Sequence, residues 1–171
     1  MKTSYIITFI GDDRPGLVEQ LSSVIENNGG NWHESRLSQL GGKFAGIIRI
    51  SLPADKALAL EAELSALATS GLSVRVTASG EKSPSVPGRD ITLTVLGPDR
   101  PGIVREIART LAQREINVLE MHSQVISAPM SAEMIFSAQI DAWIPETTDT
   151  DDLADTLDEI ANQMTLEIDL E

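Results

Sequence analysis

The sequence repeats itself once, and that repeat limits the fold more than any other feature. FIGDDRPGLVEQL at residues 9–21 returns as VLGPDRPGIVREI at residues 95–107. With Gly11 set on Gly97, an offset of 86, Asp13 meets Asp99, Arg14 meets Arg100, Pro15 meets Pro101 and Gly16 meets Gly102. The match continues through Val18 and Val104, Leu21 and Ile107, Ile25 and Leu111, Asn31 and Asn117, and Glu34 and Glu120. Two copies of one unit explain this period, since a solenoid needs at least ~3 shorter repeats. Between the copies, SGEKSPSVPGR at residues 79–89 is rich in Ser, Pro, Gly and charge and has no periodicity. The chain therefore divides into a first domain at 1–79, a linker at 80–89 and a second domain at 90–171.

Each copy reads in the same order. Residues 4–10 have strand composition. Leu17, Val18, Leu21, Val24 and Ile25 then put one apolar stripe on a helix over 15–28, which NNGG ends. Residues 31–52 read as two strands around a Gly41-Gly42 turn. Pro53 breaks the run, and ADKALALEAELSALATSG is rich in strong helix formers, with Leu60, Leu64 and Leu67 on one face. LSVRVTA at 72–78 alternates as a strand. The second copy predicts a strand at about 90–96, a helix at 101–114, strands at about 117–126 and 132–143 joined at SAPMS, a helix at about 149–163 and a last strand in TLEIDL. The acidic start of that last helix suits the positive end of a helix dipole. Each half is thus βαββαβ. The fold class is α+β: two ferredoxin-like units, each a four-stranded antiparallel sheet with two helices on one face.

The sequence has 171 residues, 42% of them apolar, enough to pack cores, and no Cys, which removes disulfides and thiolate chemistry. The N-terminus shows no signal-peptide pattern and no apolar run approaches membrane-spanning length, so a cytoplasmic protein is expected. Net charge is −13, and it sits almost wholly in the second half: residues 1–79 carry 7 Lys/Arg against 8 Asp/Glu, residues 90–171 carry 4 against 17. Direct duplex binding needs clustered cations. Any role at DNA would run through a protein partner.

The repeated corner carries the functional signal. Gly11 lets the chain leave the strand with positive φ if the turn demands it. Asp13 stands where an N-cap carboxylate would accept first-turn N–H bonds, and Pro15 fits the first turn. Gly16 leaves the backbone bare. The first turn of a helix offers unpaired N–H groups and a partial positive charge, a seat for a small carboxylate. Asp13 or Asn31 would meet an ammonium group, and an α-amino acid carries both charges on one carbon. The plainer reading is ordinary helix-start chemistry. Repetition of the Arg and of the second Gly is harder to credit to capping.

Other classes fit less well. His33 and His122 do not correspond at offset 86, and no Ser/His/Asp set, H-E-x-x-H or P-loop occurs. No enzyme activity, cofactor or metal is expected. The six aromatics, Tyr5, Phe9, Trp32, Phe44, Phe136 and Trp143, lack the arrangement of an RNA-binding βαββαβ sheet. A ligand-independent protein-interaction or dimerisation module is the serious alternative. Arg105 and Arg109 form a small basic stripe that reads as a solvated face pairing with Glu106.

Strand, G-x-D-R-P-G-[LI]-V, helix, then Asn at the next strand resembles the ACT domain, over nearly the whole chain. The stretch NWHESRLSQLGGKFAGII is similar to the first half of the glycine cleavage system transcriptional repressor family. The resemblance implies amino-acid binding at the strand-1/helix-1 corner, often at an interface between ACT units. The site residues it implies are Asp13, Arg14, Pro15, Gly16, Leu17 and Asn31 in the first copy. Those in the second are Asp99, Arg100, Pro101, Gly102, Ile103 and Asn117. It further implies an accessory regulator that senses glycine or a similar small amino acid and restrains a transcriptional activator by contact, with a homodimer plausible. The second copy departs after Asn117, where EMHSQVISAPMSAEMIF lacks the S-R-L and G-G elements.

Overall fold

The structure, a computed structural model, describes residues 1–80 and 86–171. It divides into two units, Met1–Ser83 and Pro84–Glu171. The first unit runs β1 (Lys2–Asp12), α1 (Leu17–Asn27), β2 (Asn31–Leu40), β3 (Lys43–Pro53), α2 (Ala57–Ala66) and β4 (Ser73–Ala78). The second runs β5 (Gly88–Pro98), α3 (Ile103–Gln113), β6 (Asn117–Ser127), β7 (Met134–Pro145), α4 (Thr150–Met164) and β8 (Glu167–Leu170). Of the linker expected at 80–89, residues 81–85 lie outside the described residues, while Gly88 and Arg89 are the first residues of β5.

Both units are the expected ferredoxin-like α+β fold. The sheets are four-stranded, with orders β2-β3-β1-β4 and β6-β7-β5-β8, and every pairing is antiparallel. Alternation along the strands decides which face is covered, because successive side chains point to opposite sides. In the first unit Ile7, Phe9, Ile48 and Ile50 face the helices and join Leu17, Leu21, Ile25, Leu60 and Leu64 in one buried cluster. In the second, Leu93, Val95, Ile140 and Ala142 join Ile107, Leu111, Leu153 and Leu157. Fully burying one such aliphatic side chain stabilises by roughly 1.5–3 kcal/mol.

The hairpins differ. β2 and β3 join through Gly41 and Gly42, both at positive φ, 58° and 76°, as a type I′ hairpin turn requires. The β6–β7 connection spans residues 128–133, closed by Ala128 N–H donating to the Glu133 carbonyl at 2.8 Å. Both second strands carry a bulge at the same place: register shifts between Trp32 and Glu34 and between Val118 and Glu120 make His33 and Leu119 the extra residues. Bulges add local twist to an edge strand.

Helix ends show two further differences from expectation. α2 is flanked by 3-10 turns at Ala54–Lys56 and Leu67–Ser70 rather than filling the whole segment. α1 and α3 begin two residues later than the apolar pattern suggests, at Leu17 and Ile103. Among the described residues, no helix is long and apolar enough to cross a membrane.

Candidate functional site

The two repeated corners are built alike. β1 ends at Asp12, residues 13–16 turn, and α1 starts at Leu17. The residue at the N-cap is Gly16, left-handed at φ 88°, and in the second copy Gly102, at φ 97°. No side chain caps either helix. This corrects the reading of Asp13 as the cap and of Pro15 as the first helical residue. Asp13 instead donates its backbone N–H to the Gly42 carbonyl at 2.9 Å, and Asp99 donates to the Met134 carbonyl at 2.8 Å. α4 supplies the contrast. Its N-cap Asp149 accepts from the backbone N–H groups of Asp151 and Asp152 at 3.0 and 3.1 Å. A capped helix has spent its first amides on its own side chain; α1 and α3 have not.

Gly11 also works differently from expectation. Its φ is not positive. It is a point of close approach, because a Cβ there would lie 2.9 Å from Leu72 Cδ1 and 3.2 Å from the Gly71 carbonyl. Gly97 is tighter still, 2.7 Å from Leu166 Cδ2 and 2.8 Å from the Thr165 carbonyl. These glycines let the central strand pass beside the loop that enters the last strand.

The predicted site residues do not all meet. Asp13, Arg14, Gly16 and Leu17 line one open depression of about 380 Å³, joined by Val18, Glu19 and Phe44. Arg14 donates from Nη2 to Gln20 Oε1 at 3.1 Å, which lays its guanidinium back along α1. Leu17 and Ile103 are buried core anchors. Asp99, Arg100, Pro101 and Gly102 repeat the backbone path and are exposed, apart from the carbonyl bond to Met134. Asn31 and Asn117 stand elsewhere. Asn31 pairs with Ser51, whereas Gly11 at the corner pairs with Phe44; the separation along β3 is roughly 23 Å at strand rise. Asn117 pairs with Trp143 and Gly97 with Phe136, a similar distance. Neither Asn reaches the corner of its own unit. His33 lies at the bulge between Trp32 and Glu34, away from the corner, with Nε2 2.8 Å from Ser51 Oγ.

The surroundings of the two mouths differ. A Cβ at Gly16 would meet no atom within 4 Å, while one at Gly102 would sit 4.0 Å from Met164 Cε. Phe44, which sequence reasoning missed, lies in register with Gly11 and packs on Phe9 with ring centroids 5.7 Å apart. Its signal was its place two residues after the Gly-Gly turn, which puts it opposite the corner glycine. Lys43 pairs with Asp12 beside the first mouth and holds the Asp12 carboxyl below the usual carboxylate range, by its hydrogen bond first and its charge second. At that position the second unit has Pro98 opposite Ile135. Among the described residues no cluster of His, Asp and Glu is arranged to hold a metal ion.

Comparison with known proteins agrees with this architecture. A crystal structure of an unknown protein from Galdieria sulphuraria superposes with a TM-score of 0.90 at 26% identity, over 100% of this chain and 98% of that one. A crystal structure described as a candidate glycine cleavage system transcriptional repressor superposes with a TM-score of 0.72 at 19% identity, over 100% of this chain and 97% of the other, a likeness of fold alone. No curated protein matches the sequence. The ACT domain model matches twice, at residues 3–84 and 89–171. With each match spanning one βαββαβ unit, the chain belongs to the ACT domain family as a tandem pair.

Proposed function

We propose that this chain is a non-enzymatic regulator that senses a small amino acid, glycine or one of similar size, at its ACT corners and acts through a protein partner. The observation that carries the reading is the pair of helix starts at Gly16 and Gly102, each left-handed and each without a side-chain cap. A ligand carboxylate completes such a terminus by accepting the first-turn N–H groups at the positive end of the helix dipole. The ammonium group of the same ligand has the Asp13 carboxylate nearby on the wall of the depression. That depression, about 380 Å³, falls within the ~300–1,000 Å³ usual for small-molecule sites. The first corner is the stronger seat, because its mouth is open while Met164 stands at the second.

The likeness to a candidate glycine cleavage system transcriptional repressor supports the finer reading: an accessory regulator in the cytoplasm that restrains a transcriptional activator by contact. The charge agrees, since −13 overall disfavours direct binding to DNA.

Titration calorimetry with glycine, serine, alanine and larger amino acids tests the proposal. Saturable heat is expected for a small amino acid. It should fall at least ~10-fold in affinity in Gly16→Asn, which keeps the left-handed backbone and fills the mouth with a capping side chain. The same substitution at Gly102 should have a smaller effect. Silence across the panel, with a partner protein still bound, would favour a ligand-independent interaction module.

A further inference from the structure

Register places opposite charges on the two open sheet faces. On the first unit, the face turned away from the helices carries Arg36, Arg49 and Arg75, with Glu34 among them. Arg36 and Arg49 both reach Glu34, at 3.4 and 3.1 Å, so one carboxylate serves two guanidinium groups. Among the described residues Arg75 has no ion-pair partner. Lys43 and Asp12 offset one another at the end of the same face. On the second unit the equivalent face carries Asp90, Glu120, Asp141, Glu167 and Asp169, and among the described residues its paired strands turn no Lys or Arg to that side, since Arg89 of β5 is in register with buried Ile144 and so alternates to the opposite one. Thr92 donates to Asp141 at 2.8 Å and His122 lies 2.9 Å from Glu120; Glu167 and Asp169 have no such partner among the described residues.

Both faces also expose apolar side chains between the charges. Ile10 and Ile47 are 50% and 51% exposed on the first, and Leu96 and Ile126 are each 46% exposed on the second. The second face is hollowed: a depression of about 580 Å³ runs across β6, β7, β5 and β8, with His122, Gln124, Glu167 and Asp169 on its walls. A guanidinium on a three-carbon stem fits such a hollow, and Arg tolerates the partial loss of water better than Lys.

We propose that two copies of this chain dock face to face, the basic sheet face of the first unit of one copy on the acidic face of the second unit of the other. A two-fold axis then makes both contacts at once, since each chain offers one face of each sign and the symmetry closes. Four strands at ~4.8 Å spacing, about seven residues long, give roughly 450 Å² per face. Two faces per chain reach the ~800 Å² per partner of a standard stable interface. Charge complementarity sets the register and excludes the pairing of like faces, basic on basic or acidic on acidic.

Sedimentation equilibrium and sedimentation velocity of the full chain test this. A dimer is expected at about 0.05 M NaCl, weakening as salt rises to about 1 M, as screening requires. Reversing the first face with Arg36→Glu, Arg49→Glu and Arg75→Glu should weaken dimerisation at least ~100-fold. Adding Glu120→Arg, Glu167→Arg and Asp169→Arg to that variant restores complementarity, and the dimer should return. Folding of each variant is read from circular dichroism, and the compensated chain separates loss of docking from loss of fold. A chain that stays monomeric at low salt overturns the proposal, including one whose sedimentation coefficient alone responds to salt, which would place the docking within one copy. A dimer untouched by the triple reversal overturns it equally.

Discussion

The two units share a fold, a repeated corner and even the position of a strand bulge, but they solve the same local problems with different residues. After the first helix, the first unit uses Asn28 and Gly29, and Asn28 donates from Nδ2 to the Val24 carbonyl at 2.9 Å. The second has Arg114 and Glu115 there. Arg114 reaches Asp152 at 2.7 Å, Thr156 Oγ1 at 2.6 Å and the Thr110 carbonyl at 3.3 Å, which ties α3 to α4. Before the last strand the first unit has Gly71 at φ 84°, and the second has Thr165 at φ 58°. Among these left-handed positions, Gly16 and Gly102 keep both residue and conformation, whereas Gly29 answers to Glu115 and Gly71 to Thr165.

The comparison can be pressed by substitution. The largest effect is expected at Arg114. Arg114→Ala removes a mostly buried guanidinium from three acceptors on two helices, and thermal or urea unfolding should show a loss of about 1–3 kcal/mol in the second unit. Asn28→Ala should cost the first unit only ~1 kcal/mol, for one bond within its own helix. Equal losses at the two sites would mean that Arg114 is not the tie between helices described above.

Next come the left-handed residues. A β-branched side chain at positive φ is strained. Thr165→Gly should therefore raise stability by roughly 0.5–1 kcal/mol, even though glycine gains freedom in the unfolded chain. The reverse change, Gly71→Thr, should lower it by about 1–2 kcal/mol. Chemical denaturation of both variants decides whether the two turns are as interchangeable as their backbones suggest.

The smallest effect is electrostatic. Asp12 is held below its usual value by Lys43, so its contribution is present above about pH 4 and fades as pH falls through the lowered folded value. Asp12→Asn should lower stability slightly at neutral pH and converge with the parent as pH falls, which flattens that acid limb. Pro98 at the same place in the second unit leaves no counterpart to titrate. An acid limb of unchanged slope in Asp12→Asn would mean that the pair makes no difference.

The order of elements was legible because periodicity reports burial, and one face of each element is buried. The Gly41-Gly42 hairpin was legible to the residue, since paired glycines suit a two-residue turn with positive φ at both positions. The helix starts were not. Asp and Pro look like a cap and a first helical residue, and nothing in their spelling reveals that Gly16 and Gly102 take that place in left-handed form. The site suffered more. Asn31 stands close to the corner in sequence, but α1 carries the chain back along the sheet before β2 begins, so motif neighbours end at opposite ends of a strand. The sorting of charge onto opposite faces was hidden for a related reason: it appears only once register shows which residues share a face.

The bond from Asp13 N–H to the Gly42 carbonyl has a mechanical meaning. It joins the mouth of the first helix to the tip of a two-residue turn, whose outer strand has no neighbour on its far side. In the second unit the matching bond lands on Met134, the first residue of β7, at the end of the longer 128–133 connection. A push at the first mouth is thus delivered to a tight turn of two left-handed glycines, and a push at the second to a strand end that a longer loop precedes.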